Sequence, residues 1–162
     1  MLTKEISKTL KFGAVTILSV ALMATPLSAQ ADETAPVAVC ANTSLNGYYG
    51  FTIQGTLAVP GGTVQNGGGL PIRGLAMTHF DGNGNLTQVD HGVVNGMPPP
   101  PNWTPGYGTY TVNADCTGTA VINTASNPGG PLKLHLLVTK HGQEVQQVVD
   151  VNAVTALGEK LN

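Results

Sequence analysis

From residue 47 onward the chain alternates. "GYYGFTIQGTLAV" (47–59) sets aromatic and β-branched residues against small or polar ones at a period of two, the pattern of a strand with one face buried. The same period returns at 72–80, 85–94, 107–113, 119–124, 132–139 and 143–151, with a shorter last stretch at 153–157. Turn and breaker residues separate these runs: the Gly-rich 60–71, the Pro-rich "NGMPPPPNWTPG" (95–106), "ADCTG", "NPGGP" and "KHG". Four consecutive prolines exclude 95–106 from any central strand. Nothing in this region reads as a helix, and only the last twelve residues leave room for a short one. Seven or eight short strands with turns between them predict an all-β fold. The specific expectation is a small antiparallel up-and-down barrel, because closure removes exposed sheet edges.

The first residues break this pattern. Lys4, Lys8 and Lys11 precede the apolar run "FGAVTILSVALM" (12–23), and Ala29-Gln30-Ala31 follows as a small-x-small site. These are the three parts of a secretory signal peptide, and the apolar run falls short of the roughly 20 residues of a membrane span. The expected organisation is a signal peptide at 1–31, a lead segment with Cys40 at 32–46, and the barrel at 47–162. No second apolar run follows, so no membrane span is expected after cleavage.

Charge narrows the partners. Beyond residue 31 there are four basic and eight acidic residues, a net of −4. No basic patch exists for nucleic acid, and no basic amphipathic helix for a membrane surface. The two cysteines, Cys40 and Cys116, both lie in the exported part. One disulfide is expected there, and a secreted or periplasmic location with it. Closing so long a loop stabilises by about 4 kcal/mol in the chain-entropy model.

Candidate chemistry is sparse. "FDGNGNL" (80–86) spaces Asp81, Asn83 and Asn85 like the first ligands of a calcium loop. The sixth and twelfth positions are Leu86 and Gly92, where such a loop needs Gly and Glu. Asn83-Gly84 instead suits a two-residue type I′ hairpin turn. That turn pairs odd with even residues and would send His79 and His91 to opposite faces. No His or Cys spacing suits zinc, so no metal or other cofactor is expected. Ser44 and Ser126 lie in loops without a nucleophile elbow. Asp90, Glu144 and Asp150 read as solvated charges on an outer face.

Three strings, "LNGYYGFTIQGT", "FDGNGNLT" and "GTYTVNADCTGTAVI", occur in this order over residues 44–124. They resemble a family of small exported bacterial proteins of unknown function with a "GxYGF…FDGNGNL…GTYTVN-DCTG" pattern. At the level of fold the pattern is similar to barrels of the allene oxide cyclase and calycin type. That resemblance implies a barrel and carries no catalytic residue. The expected role is non-enzymatic binding of a small, mostly apolar molecule, with Tyr48, Phe51, Phe80, Trp103 and Tyr110 as candidate lining residues. Trp103, beside the stiff prolines, is placed either over the barrel mouth as a lid or as a plug of the core. A cyclase or isomerase barrel and a structural or surface-interaction module are the two alternatives.

Overall fold

The structure, a computed structural model, describes residues 39–58, 69–97, 99–127 and 129–162. The expected signal peptide, the first part of the lead segment (32–38) and most of the Gly-rich loop lie outside these residues. The chain forms a closed barrel of eight antiparallel strands in sequential order. The strands are β1 (Asn46–Ala58), β2 (Gly69–Asp81), β3 (Asn85–Val94), β4 (Thr104–Val112), β5 (Thr117–Thr124), β6 (Leu132–Thr139), β7 (Glu144–Val149) and β8 (Ala153–Lys160). Each pairs with the next, and β8 returns to β1 through Tyr49↔Lys160 to Thr56↔Ala153. Where a terminal helix was allowed, β8 runs to Lys160 instead, because closing the barrel supplies a partner to both edges of that segment. The only helical pieces among the described residues are single 3-10 turns at Asn42–Ser44 and Lys140–Gly142.

Alternation sets the two faces. Tyr49, Phe51, Ala76, Phe80, Leu86, Tyr110, Ile122, Leu134 and Leu136 point inward and are buried. The intervening Thr52, Arg73, Thr87, Thr109, Thr119, Lys133 and Gln146 are exposed. An apolar interior under a mixed, largely polar outer wall is the reverse of an outer-membrane barrel. No helix of the described residues is long and apolar enough to cross a membrane.

Two prolines sit in strands despite the rule against them. Pro71 pairs only with Thr56 of β1, and Pro105 only with Val89 of β3. Each lies one step beyond its other neighbour's ladder, so the missing N–H removes no bond on that side. The Pro-rich loop is thus shorter than expected, and β4 begins at Thr104.

The β2–β3 turn corrects a sequence expectation. The loop holds three residues, Gly82, Asn83 and Gly84, and the positive φ values fall on Gly82 and Gly84, not on Asn83. Asp81 organises it. Its Oδ1 accepts the backbone N–H groups of Asn83 (2.7 Å) and Asn85 (2.9 Å), and its Oδ2 accepts Asn85 Nδ2 at 2.8 Å. The Asn85 amide and these backbone donors hold the Asp81 carboxyl below the usual carboxylate range. A three-residue loop pairs odd with odd, as in His79↔Thr87 and Leu75↔His91. His79 and His91 therefore share the outer face, four positions apart in register.

The two ends differ. At one, the tight turns 82–84, 113–116 and 140–143 meet the segment 40–45. Cys40 and Cys116 form a disulfide there, with Cα atoms 4.9 Å apart. Leu45 is fully buried, and Tyr110 Oη donates to the Leu45 (2.9 Å) and Asn42 (3.0 Å) carbonyls. Tyr49–Phe80 and Phe80–Tyr110 pack edge to face at 5.3 and 4.9 Å. Aromatic bulk fills this half. At the other end the described residues of the turns after β3, β5 and β7 surround an opening.

Candidate functional site

The open half is hollow because its inward positions are small. Gly74 and Ala76 on β2, Gly92 on β3 and Ala156 on β8 line this half, whereas Tyr49, Phe80 and Tyr110 fill the other. The result is a cavity of about 430 Å³. Phe51 forms part of its wall, with aliphatic side chains from Ile53, Ile72, Ile122, Leu132, Leu134, Val149 and Val154. Met97, Pro99, Pro100, Thr104, Ala125, Ser126 and Asn152 contribute from the loop end. That size lies in the range of small-molecule sites, and an eight-stranded barrel has room for one small ligand.

One charged side chain stands on this wall at an inward register position. Asp90 is 9 % exposed and pairs with Ala76 and Thr104. Its Oδ2 accepts three bonds: from Thr124 Oγ1 at 3.0 Å, Ser126 Oγ at 3.1 Å and Gln88 Nε2 at 3.1 Å. Among the described residues no donor is bonded to Oδ1. The register explains the cluster, since Gln88, Gly106 and Thr124 lie in one row across β3, β4 and β5. A Cβ on Gly106 would lie 3.0 Å from Gln88 Cγ and 3.2 Å from Thr124 Cβ. Its absence lets both side chains close over Asp90.

This overturns the placement of Asp90 on an outer, solvated face. Adjacent Val89 and His91 take the outer positions, and the His91 ring sits 5.6 Å from that of Trp103. Glu144 is also buried, at 8 % exposure, and not an outer charge. At the closed end it accepts Lys140 Nζ at 2.6 Å and Thr139 Oγ1 at 2.9 Å, and these partners lower its pKa. Asp150 is in the turn after β7, with an oxygen 2.7 Å from His135 Nδ1. No group of three or more His, Cys, Asp or Glu residues converges among the described residues.

The five aromatic residues expected around a ligand are dispersed. Phe51 is on the cavity wall. Phe80 and Tyr110 fill the closed half below it. Tyr48 is half-exposed on the outer face, with its ring 4.5 Å from that of His79. Trp103 is 49 % exposed at the rim, neither buried as a core plug nor part of the wall.

Sequence reasoning missed Asp90 for a physical reason. "NLTQVDHGVV" carries apolar residues at both parities, so alternation alone does not say which face is inner. Only the three-residue loop decides it. The signal that was present is the run of small residues at even positions, Gly74, Ala76 and Gly92. Comparison of the chain with protein-family models, with curated proteins and with solved structures gives no match.

Proposed function

We propose that this barrel is an exported, non-enzymatic carrier or sensor of a small, mostly apolar molecule held in the open half. The observation that carries the reading is the cavity of about 430 Å³, walled by aliphatic side chains and Phe51. A filled core would have favoured an interaction module working through its loops. The disulfide fits an oxidising compartment, and the resemblance to small exported bacterial proteins of unknown function points the same way.

The test is titration with N-phenylnaphthylamine, a neutral apolar fluorophore. Saturable fluorescence enhancement is expected, with at least about tenfold weaker binding in Ala156→Phe, whose ring would occupy the cavity. Absence of saturable binding in the wild-type barrel overturns the reading. Mass spectrometry of small molecules retained from a cell extract then identifies the ligand.

A cyclase or isomerase keeps one specific point in its favour, the Asp90 carboxylate on the cavity wall. Such an enzyme would work mainly by holding a reactive substrate in shape, with the inward Asp90 carboxylate to move a proton. Turnover of the molecule recovered from the extract, lost in Asp90→Asn, would select that reading over simple binding.

A further inference from the structure

The cavity also constrains the polar end of its ligand, and the inference rests on the binding role proposed above. We propose that the ligand is an organic amine, bound as its ammonium ion, with its nitrogen at Asp90 and its apolar body among Phe51, Ile53 and Leu134.

Three observations converge. First, Asp90 brings a carboxylate to a mostly aliphatic wall, where an uncompensated charge is costly. Second, the protein compensates only half of it. Thr124, Ser126 and Gln88 all donate to Oδ2, and no donor of the described residues reaches Oδ1. Third, no lysine or arginine among the described residues lines the cavity. The nearest basic residue along β2, Arg73, takes an outward register position, with its Nη1 donating to the Ile72 carbonyl at 2.8 Å. His91, from its outward register position, touches the cavity's edge with its ring against Trp103, and among the described residues it is the other titratable group there. The site therefore offers an acceptor and a negative charge, and no described residue brings it a counter-ion.

An ammonium group supplies what is missing. It carries up to three donors and a positive charge, and charge-assisted bonds to a carboxylate are roughly twice as strong as neutral ones. A fatty acid of the same length would set two carboxylates side by side, which selects against it. An alcohol could donate one bond without the charge. The wall thus ranks three ligands of equal apolar length: amine, then alcohol, then carboxylate.

The experiment is displacement of bound N-phenylnaphthylamine from the full barrel at pH 7 by decylamine, decanol and decanoate. Decylamine is expected to displace at a concentration at least about tenfold below decanoate, with decanol between them. Asp90→Asn should bring amine and alcohol together within about twofold. Asp150→Asn removes the same formal charge from the outer turn and should leave the ranking unchanged, which excludes general attraction to an acidic protein. Equal displacement by amine and carboxylate in the wild type overturns the proposal while leaving a binding barrel in place, and needs no variant to fold. An amine preference that survives in Asp90→Asn, or that disappears in Asp150→Asn, also overturns it. Failure of the fluorophore to bind removes the binding role itself, and this inference with it.

Discussion

Ala76 and Asp90 stand directly opposite each other across β2 and β3, both turned into the barrel. The three-residue loop Gly82-Asn83-Gly84 is what makes these two even-numbered residues partners. A loop shorter by one residue changes the parity of every pair in the hairpin. Deleting Gly84 would therefore force either Leu86 and Asp90 outward or a bulge into β3. The expected outcome is loss of a cooperative urea transition, or a drop of several kcal/mol if a bulge absorbs the change. A deletion variant with a wild-type midpoint would show that the loop does not set the register.

The same relationship marks the limit of what the sequence discloses. The strands were legible because alternation is a local property: 85–94 and 132–139 coincide with β3 and β6. The disulfide was legible from the even count of two cysteines. Closure was legible in outline, as seven or eight strands without a helix. Phase was not. Whether Asp90 faces in or out depends on one loop residue, and Asn83-Gly84 imitates a shorter turn. The aromatic residues misled in a related way. Tyr48, Phe80, Trp103 and Tyr110 suit a ligand wall by side-chain chemistry, yet large inward side chains such as Phe80 and Tyr110 fill space. The cavity lies where Gly74, Ala76, Gly92 and Ala156 leave it.

The Cys40–Cys116 bridge ties the segment that closes the barrel to the β4–β5 turn, across 76 positions. Replacing both cysteines by alanine should cost about 4 kcal/mol through the freed chain entropy of the unfolded state. Urea titration reads this as a lower midpoint. A change below about 1 kcal/mol would mean that Leu45 and the Tyr110 hydroxyl hold the closing segment without help.

Gly158 of β8 leaves the space that the Phe51 ring occupies, since a Cβ there would overlap ring atoms of Phe51. Gly158→Ala should destabilise by about 1–3 kcal/mol through overpacking. In a Phe51→Leu background the added methyl group gains room, so its penalty should shrink and the two changes should not add. Strict additivity in the double-mutant cycle would place the cost in the β8 backbone instead.

Tyr49 and Tyr110 hold the closed end through buried hydroxyls. Tyr49 Oη donates to the Gly142 carbonyl in the β6–β7 turn, and Tyr110 Oη to Leu45 and Asn42. Burial raises the pKa of both phenols above the ordinary value near 10. In the unfolded chain they ionise near 10, and in the barrel only above it. Their contribution to stability is therefore full below pH 10 and is lost as the pH rises through the raised folded-state values. Replacing either by phenylalanine should cost about 1–2 kcal/mol at pH 7, because the carbonyls lose their donors. The cost should fall as the pH rises from 9 to 11, since the wild type loses the contribution that the variant already lacks. The difference between wild type and variant also cancels Lys140, whose own pKa is raised by Glu144 and which weakens the closed end in the same alkaline range. Urea midpoints at pH 7, 9 and 11 supply the comparison. A gap between wild type and Tyr110→Phe that stays constant to pH 11 would mean that the Tyr110 phenol ionises equally readily in both states, contrary to its place under Leu45.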